Sequence, residues 1–214
     1  MFTKRAIRQE FWAVLISAGI CLCLNSTGRA EQESPPPAAQ QGPAESKKLE
    51  AKNAEGFKDF QERVDAYVKL HKSAAGTVPN IKPTGEPEKI AAHQQELAKK
   101  IREARPHAKR GDIFTESARH AFRRVINSEF EGPHGHGART TIRQGEPLKR
   151  VHLHVNEPYP DGVPFTTVPP TLLLRFPKLP DQLAYRIVAH DLVLLDVDAN
   201  LVIDRIPEII PGDF

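Results

Sequence analysis

Four histidines stand as two His-x-His pairs, His134 and His136 in PHGHG and His152 and His154 in VHLHV, and two aspartates stand two apart in LLDVDANLVID, residues 194–204. Each spacing has a chemistry. Residues two apart on a strand share a face, so the neutral imidazoles of His152 and His154 could converge on one zinc, nickel or copper ion, with His134 and His136 folding over to complete the site. Such a site would also need acceptors for the ring N–H groups. Asp196 and Asp198 offer either oxygen ligands for a hard cation or a nucleophile beside a general acid. A plainer account competes with both. Alternation of His with Val and Leu also describes the wet face of a half-exposed strand, and Gly-His repeats occur in ordinary loops.

The aspartate pair resembles two known patterns. Asp196-Val-Asp198-Ala-Asn200 is similar to the first five positions of an EF-hand loop, but Leu201 stands where the sharp turn needs Gly and Pro207 where a bidentate Glu closes the site. VLLDVDANLV resembles the strand-end motif of haloacid-dehalogenase-type phosphatases, a likeness that implies Asp196 as nucleophile and Asp198 as proton donor. Asn200 occupies the usual Thr position, and the ten residues after Asp204 hold neither the Lys nor the further sheet of that family. The stretch is therefore read as a β-hairpin whose Asp and Asn residues serve the turn. Turn carboxylates act locally, so replacing Asp196 and Asp198 together by Asn is expected to change stability modestly.

The elements that position these residues follow from periodicity. In FKDFQERVDAYVKLHK (57–72), Phe57, Phe60, Val64, Tyr67, Val68 and His71 recur at helical spacing. Pro87 suits the first turn of a second helix carrying Ile90, Leu97, Ile101 and Ala104, ending near Arg105 before Pro106. Thr115 caps a third, with Ala118, Ala121, Phe122, Val125, Ile126 and Phe130 as its buried stripe and Gly132 as a left-handed stop. VHLHV alternates and reads as a strand. A proline-punctuated segment follows, with a short helix starting near Thr171. AYRIVA, DLVLLD and NLVIDRI are strand-like, and the last two are apolar on both faces. Helices followed by strands, without βαβ alternation, predict an α+β domain: about three N-terminal helices packed on a small C-terminal antiparallel sheet.

Residues 1–30 read as a signal peptide, with Lys4, Arg5 and Arg8 before the apolar run Phe11–Leu24 and Gly28-x-Ala30 at the boundary. That run is shorter than the ~20 residues a membrane helix needs. Residues 31–56, rich in Pro, Ala, Gln and charge with Leu49 as the one large apolar residue, are expected to be a disordered linker that turns helical near Ser46, leaving 57–214 as one domain. Without the signal, Lys4, Arg5, Arg8, Arg29 and Glu10 leave, taking 30 basic and 27 acidic residues to 26 and 26. A neutral mature chain lacks the footprint of a nucleic-acid binder. Both cysteines leave too, so no disulfide or thiolate chemistry is expected.

Other catalytic signatures are absent: no H-E-x-x-H, G-x-S-x-G, G-x-x-x-x-G-K-[ST] or G-x-G-x-x-G occurs. Charged helix faces such as KKIREAR and RHAFRR read as solvated surface, although Arg119, Arg123 and Arg124 could pair an acidic partner. Residues Tyr185–Ile206 are similar to the C-terminal ending of uncharacterised exported bacterial proteins, and to the closing hairpin of periplasmic nickel/cobalt-homeostasis proteins. That resemblance implies a compartment rather than an activity. The expectation is an exported, periplasmic or secreted protein without a membrane span after signal cleavage. Its role would be non-enzymatic binding or structure, with a protein partner in the envelope. A histidine-based metal-binding protein of the same compartment is the alternative.

Overall fold

The computed structural model describes residues 43–81, 84–133, 135–143 and 151–211, which lie in one compact unit. Residues 1–42, which include the segment read as a signal peptide and the first part of the expected linker, and His134 lie outside the described residues. Helix α1 (Pro43–Ala75) begins close to Ser46, where helix is expected to set in, and runs on through Phe57, so residues 43–56 are helical although their composition reads as linker. Tertiary contacts explain the extension. Arg124 donates to the Asn53 side chain, and Gly56 sits where α1 crosses the third helix. A Cβ at position 56 would meet the Ser117 carbonyl oxygen at 2.6 Å and the Ala121 Cβ at 3.0 Å, so the two backbones approach closely only because the side chain is missing.

Gly56→Ala therefore sets two effects against each other. Helix propensity alone would raise stability by about 1 kcal/mol. Overpacking against a backbone carbonyl costs about 1–3 kcal/mol, and the variant is expected to be less stable in a urea titration. A gain in stability would mean the crossing is loose.

Helices α2 (Pro87–Ala104) and α3 (Glu116–Glu131) follow their local signals closely. Pro87 opens α2 with a φ suited to the first turn, and Thr115 Oγ1 accepts the Ala118 N–H to cap α3. The expected α3 stripe is buried throughout, as are Leu97 and Ile101 of α2, whereas Ile90 stays 42 % exposed and Ala104 is exposed. Gly132 does not form a left-handed stop. It is extended (φ −79°, ψ 178°), and its lack of a side chain serves packing instead, since a Cβ would lie 2.9 Å from the Ser128 carbonyl oxygen. The PHGHG segment is not a loop throughout, because α4 (Gly135–Arg143) begins inside it. Arg139 anchors α4 by donating to the Phe130 carbonyl at 2.8 Å. A one-turn helix, α5 (Pro170–Leu173), follows the proline-rich segment.

The sheet is an antiparallel meander of β1 (Leu183–Val188), β2 (Asp191–Asp196) and β3 (Leu201–Ile206), with β2 in the middle. Together with the helices it makes an α+β fold. Leu194 opposes Asp204, and an irregularity between Leu194 and Leu195 shifts the register so that Asp196 opposes Leu201. One face packs Tyr185, Ile187, Leu192, Leu194, Leu201 and Ile203 against the helices. There Phe122 is the hub, with its ring centroid within 5.2 Å of those of Phe57, Phe60 and Phe114 and 4.8 Å from that of Phe176.

The other face buries Val188, Val193, Leu195 and Val202 beneath Leu153 and Tyr159. Strands buried on both sides account for their nearly unbroken apolar runs. The cover comes from VHLHV and the prolines after it, and this corrects the expectation of a strand there. Residues 151–154 form no ladder. Bonds between Asn156 N–H and Val202 O, Val202 N–H and Glu157 O, and Tyr159 N–H and Asn200 O follow the edge of β3, while Asn156 at φ 65° and the N–H-less Pro158 and Pro160 interrupt any regular pairing. The alternation of burial survives without the strand, since Leu153 is buried and His152 and His154 are exposed.

Candidate functional site

Asp196, the last residue of β2, is 0 % exposed. Its Oδ1 accepts the backbone N–H groups of Asp198 at 3.0 Å and Ala199 at 2.9 Å, which shapes the turn. Its Oδ2 accepts the Tyr67 hydroxyl at 2.6 Å and lies 2.7 Å from His71 Nδ1. Tyr67 and His71 are four residues apart on α1, so their polar tips emerge from the apolar stripe at one place. The carboxylate thus ties the first helix to the last hairpin. This overturns the expectation that the turn carboxylates act only locally.

Asp198 is half exposed, and its Oδ2 lies 3.6 Å from His71 Nε2, so the imidazole has a carboxylate facing each nitrogen. The hydrogen bond to Asp196 raises the His71 pKa, the charges of Asp196 and Asp198 add to it, and burial and Lys72 oppose it. Burial, then the charge of Asp196, raises the Asp198 carboxyl, against the opposing charges of His71 and His93. Burial also pushes the Tyr67 hydroxyl up, helped by Asp196, so it stays a neutral donor. The chemistry available here is the holding of an imidazolium. His71 is 4 % exposed, and each of its ring nitrogens faces a carboxylate.

Asp204, in the middle of β3, is a second anchor and is also 0 % exposed. It collects the backbone N–H groups of Gly111 (3.0 Å), Ile113 (2.9 Å), Phe114 (2.8 Å) and Arg205 (2.8 Å). The loop between α2 and α3 is thereby wrapped around a carboxylate, with Gly111 at φ 93° making the bend that a side chain would strain. Burial raises the Asp204 pKa, and the four N–H groups pull it part of the way back. Neither anchor is visible as a pair in the sequence. A Tyr and a His on the apolar stripe of α1, and an Asp inside the apolar run NLVID, are the signals: each is a polar group in a place that demands a buried partner.

Of the histidines proposed as metal ligands, His136 is exposed on α4, His152 and His154 are exposed on the extended cover segment, and His134 is outside the described residues. Among the described residues no three His, Cys, Asp or Glu side chains are placed to hold a metal ion. Exchanging His152 and His154 together for Thr is expected to move stability by no more than ~0.5 kcal/mol, with the same melting temperature in Zn²⁺ or Ni²⁺ as in chelator. A metal-dependent rise in melting temperature that needs both residues would contradict this, because a ligand bound only to the folded state must stabilise it.

The arginines of α3 divide. Arg124 donates its Nε to the Asn53 side chain of α1. Arg119 and Arg123 line a cleft of about 280 Å³ with Arg110, Glu116, His120, Ile206 and Pro207. Among the described residues no helix is long and apolar enough to cross a membrane. Compared with protein-family models, curated proteins and solved structures, the chain finds no match.

Proposed function

We propose that the chain is exported to a bacterial-type envelope and acts there as a non-enzymatic binding or structural protein. The observation that carries the reading is the fate of its most catalytic-looking residues. Asp196, which the phosphatase-like motif would make a nucleophile, accepts four hydrogen bonds from the turn and from α1 and is sealed from solvent. A nucleophile needs an open approach and a free lone pair, and this carboxylate has neither. The reading of residues 1–30 as a signal peptide supports export.

N-terminal sequencing of the protein recovered from fractionated cells tests the export half. The expected result is a chain starting at or near Glu31 in the periplasmic or secreted fraction. Met1 retained in a membrane fraction, or full-length protein in the cytosol, would contradict it. A phosphatase activity that disappears in Asp196→Asn while the fold persists would overturn the non-enzymatic half.

A further inference from the structure

We propose that the cleft between α3 and the end of β3 is a docking site for an acidic, extended segment of a partner protein. This deepens the binding-protein reading and rests on it. Glu116, Arg119, His120 and Arg123 recur at intervals of three, four and seven and so share one face of α3, while Arg110 approaches from the preceding loop. The guanidinium groups of Arg110, Arg119 and Arg123 make no hydrogen bond or ion pair with any described residue. The one carboxylate lining the cleft, Glu116, is 81 % exposed and has its ion-pair contact, at 3.8 Å, with His120, so three arginines against one carboxylate leave the cleft net positive. Three cations against a single carboxylate leave a net repulsion. A bound anion relieves that repulsion.

The cleft is also built in advance. Arg110 precedes Gly111, whose N–H is fixed on the buried Asp204 carboxylate, and α3 is fixed at its start by the Thr115 cap and by the bond from Thr115 to Asp59. A ligand therefore meets charges whose backbone positions are already ordered, which lowers the entropic cost of binding. Ile206 and Pro207 add apolar lining against which the methylene groups of a Glu side chain can lie.

Spacing selects the class of ligand. Residues four apart on a helix are separated by about 6 Å along its axis, and side chains on one face of an extended chain recur every ~6.6–6.8 Å. Acidic residues at alternate positions of an extended segment can thus place one carboxylate on Arg119 and the next on Arg123 in guanidinium–carboxylate pairs. A single inorganic phosphate offers no second anionic group at that spacing, so a segment with two carboxylates should bind more tightly than phosphate. The balanced charge of residues 31–214 disfavours a long polyanion such as nucleic acid.

The experiment is a fluorescence-anisotropy titration of the mature chain, residues 31–214, with a labelled peptide of alternating Glu and Thr, beside a Gln-for-Glu version and inorganic phosphate as competitor. The expected result is saturable binding of the Glu peptide that weakens with salt. It should weaken at least ~tenfold in the double variant Arg119→Gln/Arg123→Gln, in line with the loss of charge-assisted hydrogen bonds. Arg102→Gln, an exposed change on α2, should leave it unaltered. No variant should melt below the parent, because the changed side chains have no partners within the fold, and the double variant should melt at the same temperature or slightly higher because it removes mutual repulsion. Absence of binding, equal binding of the Gln peptide, retention of affinity in the double variant, or displacement of the Glu peptide by equimolar phosphate would each overturn the proposal. The compartment of the protein does not enter this measurement, so its failure is separable from that of the export test.

Discussion

Asp204→Ala is expected to be among the most damaging substitutions in the chain, lowering the unfolding free energy by about 3–5 kcal/mol. Four backbone N–H groups converge on this carboxylate, and those of Ile113 and Phe114 are buried. Each buried donor left without an acceptor costs about 1–3 kcal/mol. Water cannot readily replace the lost oxygens, because Phe114 is packed between Phe60 and Phe122, with ring centroids 5.2 Å from each. Asp204→Asn keeps an acceptor but turns an amide NH₂ toward donors, so its loss should be roughly half as large, on the order of 1–3 kcal/mol. Urea titration measures both. A change below ~1 kcal/mol in the alanine variant would show that the loop is held by its apolar contacts alone.

The second large effect is expected at Asp196. Removing its side chain leaves a buried imidazole and a buried phenol without their acceptor, and taking one partner from a buried ionic pair costs about 3–5 kcal/mol. Asp196→Ala should fall in that range. The loss should exceed that of Asp198→Ala, whose side chain is half exposed. The pH dependence carries a sign that can be checked. His71 has its pKa raised by folding, so the folded state binds the proton more tightly than the unfolded state does. The stabilisation is complete below the unfolded value near ~6.5 and is lost as pH rises through the raised folded value. Asp198 and Asp204 also have raised carboxyl pKa values, but their contribution is lost at lower pH, as pH rises from the ordinary carboxylate range through their folded values. A stability curve of the parent protein should therefore decline above pH ~6.5. In His71→Gln that decline should flatten.

What could be read from the sequence, and what could not, follows from the range of the interactions. The bounds of α2 and α3 rest on Pro87, Thr115 and apolar stripes, all of them local signals, and the structure places them within a residue or two. The three strands of the meander are legible because β-branched and Leu-rich runs buried on both faces leave little alternative. The start of α1 lies within three residues of Ser46, where helix is expected to set in, whereas the contacts that hold residues 43–56, through Asn53 and the missing Cβ of Gly56, have no signature in an apolar stripe. The alternation of VHLHV reports burial correctly but not hydrogen bonding, since period-two burial also arises in an extended segment laid over a sheet. The PHGHG glycines signalled a loop. A Cβ at Gly135 would lie 2.1 Å from the Phe130 carbonyl oxygen, so that glycine serves the tight entry into α4.

The aspartates show the same division. Asp196 and Asp198 invite attention because they stand two apart in the sequence, yet their meaning comes from α1, 125 and 129 positions away from Asp196. Asp204 drew none, and it organises the loop that presents Arg110. Likewise Arg119, Arg123 and Arg124 are one charged run in sequence, but the geometry separates Arg124, bound to α1, from the two that line the cleft. Long-range pairing of this kind has no periodic signature.

The central claim is that the 194–204 stretch is an anchor joining the hairpin to the helices, and a double-mutant cycle on His71 and Asp196 tests it most directly. Urea titrations at pH ~6 of the parent, His71→Gln, Asp196→Asn and the double variant yield the coupling energy between the two side chains. The predicted result is a coupling of at least ~1.5 kcal/mol, in the upper part of the range for residues in one buried network. Additivity of the two single losses to within ~0.5 kcal/mol, as for independent sites, would contradict the anchor.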